Sequence, residues 1–418
     1  MYRDSQSNGH MFRRLWASTA AANLADGILL AGLPVVMTTL TTQPAVVAGV
    51  QVAIMGPMAM TALPAGVLAD RMDRRLLLVA ANLIRALGLA VVVVAAWREE
   101  WRVAAVYAAA VLAGSTEILA DSAAETSVPA LVGHEGLQRA HARLVGTQMV
   151  AGDAVGAPIG SWFATIGIGW VLGVPAALYT VAAEVARRLH QPLIRPVERV
   201  AQRCLRRDIR EGMTLVWHDP LLRRIGLANS AMNLGNTAFF AVAVLIIIGP
   251  VGLPRAAYGL VLAVLAAGGV VGSMSADRAV RTLGQVSVIR AGAIVTGAAY
   301  GLICLTANPV VTMVAAFGIG MFGMMWNITN RVLRQQATPD HLLGRVTATM
   351  KVMALVMTPL GGILGGVVAQ VAGVRSVGYV AVGAAVVAWA LMMGIDGSSS
   401  QMQEAPIPMR GAAYGGAQ

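Results

Sequence analysis

Five carboxylates stand inside hydrophobic stretches, where a charge is expensive. Asp26 lies within 15–40, with Asn23 about one turn before it. Glu117, Asp121 and Glu125 follow one another at i, i+4 and i+8, so they share one helix face. Asp153 occupies the middle of 143–165. A charge at the centre of an apolar helix costs roughly 2.5–3.5 kcal/mol, so such residues face a polar cavity or a partner. A carboxyl in a cavity that water enters in one state only can take up and release a proton at neutral pH. The competing role is structural: an acid neutralises an arginine and ties two helices together. Arg85, inside 76–97, is the available cation, and Arg290 is its approximate counterpart later in the chain. Asp26 is assigned to proton or substrate coupling, because no basic residue lies near it in its own stretch. Glu117 and Asp121 leave both roles open. Glu125, near the end of its stretch, is expected to pair with Arg71 or Arg75 as a gate latch.

These residues must be carried by elements that cross a membrane. Apolar residues make up 57% of the 418 and charged residues 12%, and mean hydropathy is +0.69. A soluble domain carries roughly 25% charged residues. Hydrophobic runs near 20 residues recur, the length that spans a hydrocarbon core of about 30 Å. Twelve can be read, at 15–40, 46–68, 76–97, 102–123, 143–165, 168–186, 222–249, 256–275, 286–307, 309–330, 342–370 and 374–395. The expected fold class is all-α, a polytopic membrane protein of two six-helix bundles.

The net charge of +11 would suit nucleic acid, but its placement does not. Arginines fill alternate gaps between hydrophobic runs, and no aromatic platform interleaves with them. The charged gaps include Arg71, Arg74 and Arg75, the long segment 187–221, and Arg331, Arg334 and Arg345. Loop charge of this kind places both termini in the cytoplasm. The parts are then a cytoplasmic lead at 1–14, a first bundle at 15–186, an Arg-rich connection at 187–221, a second bundle at 222–395 and a disordered tail at 396–418. The connection reads as an amphipathic helix lying against acidic lipid headgroups. Cys204 and Cys304 fall on opposite sides of the membrane, so no disulfide is expected.

The two halves repeat each other. Asn23-Leu24-Ala25-Asp26 is answered 210 positions later by Asn233-Leu234-Gly235-Asn236. Asp70-Arg71 recurs as Asp277-Arg278, and Pro129 as Pro339. A parallel duplication in so apolar a chain points to a transporter whose halves rock around a site between them. The second half is poorer in membrane acids. Asn229, Asn233 and Asn236, with Asn23 from the first half, suit substrate lining better than proton transfer.

The segment Gly66-Val67-Leu68-Ala69-Asp70-Arg71-Met72-Asp73-Arg74-Arg75 resembles the signature loop of the major facilitator superfamily. Gly66 permits close helix approach, and Asp70 can face a helix N-terminus. Asp73 stands where that pattern has Gly and is expected to tolerate a left-handed turn. Gly152, Gly156, Pro158 and Gly160 resemble the antiporter motif of the fifth span, with Ala157 and Ser161 as departures. With GILLAGLP (27–34), SVPALVGHEGLQRAHARL (127–144) and RQQATPDHLLGRVTATM (334–350), the chain is similar to the drug and siderophore exporters of the superfamily. That branch often carries an arginine in span four, where this chain has Glu117 nearby.

The resemblance implies a bacterial inner-membrane, proton-driven exporter of a hydrophobic or amphipathic small molecule. A siderophore exporter of the same fold is the alternative, and a transport-inactive sensor or scaffold is the alternative from another class. No cofactor is expected beyond the proton motive force. The expected partners are lipid, protons and a small-molecule substrate, the protein being monomeric. No nucleophile, metal or phosphate-binding constellation supports an enzyme. The orientation is directly testable. A cysteine replacing Glu99 should react with an impermeant maleimide added to whole cells, and Cys204 should not. Labelling of Cys204 in sealed cells would invert the topology.

Overall fold

The computed structural model describes residues 2–189 and 205–394. Cys204 and the expected tail at 396–418 lie outside the described residues. All regular structure among those described is helical: α1 (Tyr2–Leu40), α2 (Pro44–Arg71), α3 (Arg74–Ala95), α4 (Arg102–Thr147), α5 (Ala157–Ile166), α6 (Ile168–Arg187), α7 (Leu205–His218), α8 (Pro220–Ile248), α9 (Ala257–Leu283), α10 (Gln285–Leu305), α11 (Pro309–Gln336), α12 (Asp340–Ala372) and α13 (Val377–Met393). Eleven spans among them are long and apolar enough to cross a membrane. The twelfth crossing, expected at 143–165, combines the end of α4, a π-helical stretch at Gln148–Gly156 and α5.

Local chemistry sets the ends. Pro44, Pro220 and Pro309 open helices at positions whose N–H has no intrahelical partner. Asp219 and Asn308 accept from the first backbone N–H groups of α8 and α11, a cap worth about 1 kcal/mol. Asp73 does the same for α3 by accepting from the Arg75 N–H at 2.9 Å. Its φ of −61° and ψ of 117° are extended, so the expected left-handed turn is not formed. Asp replaces Gly there because the position needs an acceptor for α3, not a permissive φ. Gly284 and Gly373 do need positive φ, at +81° and +89°, to end α9 and α12 sharply.

The structure extends the sequence expectations. Helix α1 begins at Tyr2, so the lead expected at 1–14 is already helical. The gap expected at 124–142 is helical too, with Pro129 inside α4, whereas Pro339 caps the start of α12. Ala113 and Gly152 line one small cavity, yet a straight helix would part them by roughly 58 Å. The helical path therefore folds back between them. The apolar side of helix α7 is turned to protein. It packs on α8 and α12, with Val216 fully buried beside Leu222, Ile225 and Met350.

Arginines tie up carbonyls at one end of the bundle. Arg14 on α1 donates to the carbonyl of Arg188, and Arg224 on α8 donates to that of Gly394, 210 positions later in the repeat. Arg75 on α3 donates to the carbonyl of Arg187 at 2.5 Å, and Arg290 on α10 to those of Met392 and Met393. Each cation meets the negative end of the last helix of its own half.

The apolar core shows how the halves meet. At the arginine-poor face one continuous cluster joins Val47, Val50 and Val106 of the first half to Val242, Ile246 and Val377 of the second. At the arginine-rich face three separate clusters replace it, one around Leu15, Leu77 and Leu131 in the first half, and two in the second, around Ile225, Ile289 and Val346 and around Ala276, Val288 and Met325. The halves are therefore sealed at one face and parted at the other. Glycines make the seal. A Cβ on Gly259 of α9 would strike the carbonyl of Ala157 on α5, and one on Gly366 of α12 would come within 2.9 Å of the Ala48 Cβ on α2. Trp97, Trp101, Trp162 and Trp170 ring this sealed face, all more than half exposed, as aromatic anchors do at a membrane interface.

The seal can be checked chemically. Cysteines at Ala48 and Gly366 stand within disulfide reach after a small adjustment. With a protease site placed in 190–204, oxidised A48C/G366C should run as one band after cleavage and as two after reduction. Two bands from the oxidised sample would show that these faces do not touch.

Candidate functional site

Arg85 is carried on α3 into the middle of the N-terminal half, where it is 1% exposed. Its Nε donates to the Thr116 hydroxyl on α4 at 2.7 Å. Its Nη1 lies 3.3 Å from Oδ1 and 3.4 Å from Oδ2 of Asp26 on α1. Its guanidinium carbon stands 4.9 Å from the ring centre of Tyr179 on α6, within cation–π range. The Tyr179 hydroxyl in turn donates to Oδ1 of Asp26 at 2.6 Å. One guanidinium thus joins α1, α3, α4 and α6, and its Nη2 is left without a hydrogen-bond partner.

Asp26 is therefore not the isolated carboxyl expected from its own helix. Its partners come from 59 and 153 positions away in sequence, so local spacing cannot reveal them. Glu117 and Asp121, one turn apart on α4, face the same guanidinium and interact electrostatically with both it and Asp26. Neither makes a hydrogen bond or ion pair with a described residue. Glu117, Asp26, Asn23 and Asp153 line a cavity of about 100 Å³, with Gly27, Gln148 and Gly152 in its wall. Asp121 is not in that wall. Asp153 and Arg85 stood out in the sequence as charges inside spans, though without an assigned role, whereas Tyr179 and Thr116 carry no local signal of membership.

The antiporter-like residues explain why α1 lies so close. A Cβ on Gly27 would overlap the carbonyl of Gly152, one on Gly156 would press on that of Leu24, and one on Gly160 on that of Ile28. Backbone meets backbone along this seam, as small residues allow. Pro158 removes the hydrogen bond that an α-helix would make to the Ala154 carbonyl, and the wider π-helical turns precede it. Asp153 sits in that irregular stretch.

The signature loop is positioned differently from expectation. Arg74 is buried and donates to the Thr126 carbonyl on α4 at 2.8 Å, and Arg75 is committed to α6. Glu125 is exposed and is not paired with Arg75, one of its two expected partners; the side chain of the other, Arg71, lies outside the described residues. Gly66, Asp70 and Arg71 form the end of α2, and their side-chain surroundings fall outside the described residues. Among the asparagines, Asn229 and Asn233 line a larger cavity in the second half. Asn236 does not, because its Oδ1 accepts from the Tyr300 hydroxyl at 3.2 Å. Arg290, capping α13, is no counterpart of Arg85.

The sequence pattern of the transmembrane secretion effector family matches residues 7–407. The chain belongs to this family of major facilitator transporters. It is similar to the multidrug efflux pump Tap of Mycolicibacterium fortuitum, 28% identical over 335 residues, covering 77% of this chain and 80% of Tap. Among solved structures it resembles a point mutant of the nucleoside transporter NupG, with a TM-score of 0.76 at 14% identity, over 92% of this chain and 99% of NupG. A bacterial homologue of the iron transporter ferroportin in its inward-facing state gives a TM-score of 0.72 at 16% identity, over 92% and 98%. Family and neighbours are transporters, so the chain is a multi-pass membrane transporter and not an enzyme.

Breaking a buried ion pair by removing one partner costs about 3–5 kcal/mol. Arg85→Gln should destabilise more than Asp26→Asn, because Arg85 also faces Glu117 and Asp121. The double variant should cost less than the sum of the singles, read from thermal unfolding in detergent. Additive costs would show that the two groups do not interact.

Proposed function

We propose that this protein couples proton entry to the export of a hydrophobic or amphipathic small molecule. The observation that carries the reading is the charge balance around Arg85. Three carboxyls, Asp26, Glu117 and Asp121, gather near one guanidinium in the N-terminal half, and a fourth, Asp153, joins Asp26 and Glu117 in the cavity wall. Full ionisation would leave three negative charges uncompensated inside a membrane, and protons are the natural counter-charge. Similarity to the Tap pump supports export as the direction.

Within the cluster, Glu117 is the coupling acid. It lines the cavity and has no hydrogen-bonding partner, whereas Asp26 is held by both Arg85 and Tyr179. Asp26 acts by fixing Arg85, and Arg85 reports the charge of Glu117 to α1 and α6. Asp121 and Asp153 are the secondary acids. The arginine-rich face is cytoplasmic by the positive-inside rule, with both termini on that side of a bacterial cell membrane. The parted face of the halves then opens to the cytoplasm, the state that loads cargo for export. Likeness to an inward-facing transporter supports this assignment. Opening the other face requires the glycine seal of α2, α5, α9 and α12 to separate.

The test uses everted vesicles and a hydrophobic dye that the parental protein clears from an efflux-deficient host. Glu117→Gln should reduce uphill, pH-gradient-driven dye accumulation to background while preserving downhill exchange. Asp26→Asn should impair both, because it releases Arg85. Gradient-driven accumulation by Glu117→Gln at the parental rate would remove Glu117 from the coupling path.

A further inference from the structure

A second cavity, about 560 Å³ against about 100 Å³ for the acid-lined one, opens at the arginine-rich end of the C-terminal half between α8, α11 and α12. Its character is the opposite. Arg331 and Arg334 enter from α11 and Lys351 from α12, and none of its described lining residues is acidic. Lys351 is the one lysine in the sequence. None of the three cations forms an ion pair with a described residue, and Arg331 and Arg334 stand close enough to repel each other.

The wall also holds amides with unspent hydrogen bonds. Asn330 is 6% exposed, and neither its amide nitrogen nor its amide oxygen has a partner. The Nε of Arg334 is likewise buried and unpartnered. Buried donors without acceptors carry a standing cost that a fold seldom tolerates without use. Three cations and several N–H donors around one opening describe a receptor for oxyanions, because charge-assisted N–H···O⁻ bonds satisfy both deficits at once. Apolar side chains from the same wall, among them Ile225 and Met350, offer a surface for hydrocarbon.

We infer that this cavity binds the anionic group of an amphipathic substrate, a carboxylate, phosphate or sulfonate, through Arg331, Arg334, Lys351 and Asn330. The inference rests on the transport reading above and adds to it the substrate's charge. It also assigns the halves different work. The N-terminal half gathers acids and would repel such a group, so the anion stays on the C-terminal side while protons use the other. A cationic amphiphile would meet three like charges at this cavity and is excluded from it.

Binding can be measured without any gradient, using the full-length protein purified in uncharged maltoside detergent. Octyl phosphate should bind, read by isothermal titration calorimetry, and octyltrimethylammonium should neither bind nor compete. Arg334→Gln and Lys351→Gln should each weaken octyl phosphate by about ten-fold or more, while Arg334→Lys retains part of the affinity. Unchanged elution on size exclusion certifies that each variant is folded. Equal binding to parent and glutamine variants, or equal binding of both amphiphiles, overturns the inference. Reconstitution in phosphatidylcholine nanodiscs with or without phosphatidylglycerol separates the remaining source. If phosphatidylglycerol displaces octyl phosphate from the parent, the occupant is a lipid headgroup and the inference also fails. A protein that binds octyl phosphate yet ignores an imposed pH gradient sinks the coupling reading alone.

Discussion

One guanidinium, buried where a membrane would exclude its charge, organises the first half of this transporter. Arg85 has a single full countercharge in contact, Asp26, and that carboxylate is also gripped by Tyr179. Isolating any of these groups would leave a polar group in hydrocarbon, so α1, α3, α4 and α6 are bound to move together. The remaining acids are not needed to neutralise Arg85. Glu117 faces the same guanidinium from a cavity wall without a hydrogen bond of its own. A change in its charge therefore alters the balance at Arg85 and can be felt by four helices at once. Electrostatic coupling of this kind falls off slowly in a low-dielectric interior, which is where the geometry places it.

The second constraint is the seal between the halves. Gly259 against Ala157, and Gly362 and Gly366 against Val52 and Ala48, bring helix backbones together at the arginine-poor face. Dispersion and close fit hold such contacts, since lipid competes equally well for apolar surface. No buried ion pair is given to this interface among the described residues. A seal made of fit rather than charge can be exchanged for another of similar quality at low net cost, which suits a contact that must open. The arginines at the other face are spent within their own halves, capping the helix ends near Arg187, Arg188, Met392 and Gly394. They stiffen each half without tying the two together.

The sequence displays what local patterns can encode. Hydrophobic runs of membrane length, the duplicated blocks and the alternation of arginine loops all rest on contiguous residues, and the helices follow them. What crosses between helices was hidden. Asp26 looked unpaired because Arg85 and Tyr179 lie far along the chain, on helices whose rotation no periodicity sets when both faces are apolar. The polar run at 124–142 looked like a loop, yet helix propensity and packing of Val128 and Leu131 keep it helical. Asp73 was read through glycine's role and proved to be a cap, a signal present in the sequence since Asp is a preferred N-cap. Of the asparagines, Asn229 and Asn233 line a cavity, whereas Asn236 is engaged by Tyr300, a partner 64 positions away that no local pattern announces.

The duplicated halves have diverged at one chemical point. Where the first half sets Asp26 against Arg85 and Tyr179, the second sets Asn236 against Tyr300 alone. The amide needs no countercharge, no buried arginine accompanies it among the described residues of the second half, and Arg290 caps α13. A neutral pair keeps one arrangement regardless of proton supply, whereas a charged cluster with surplus acids has as many arrangements as protonation states. On the proton-coupled reading proposed above, the difference makes the first half the responsive element. Helix α7 packs onto α8 and α12 and so belongs to the second half. On the same reading, gathering the span-embedded acids in one half would let a single protonation there bias the whole movement.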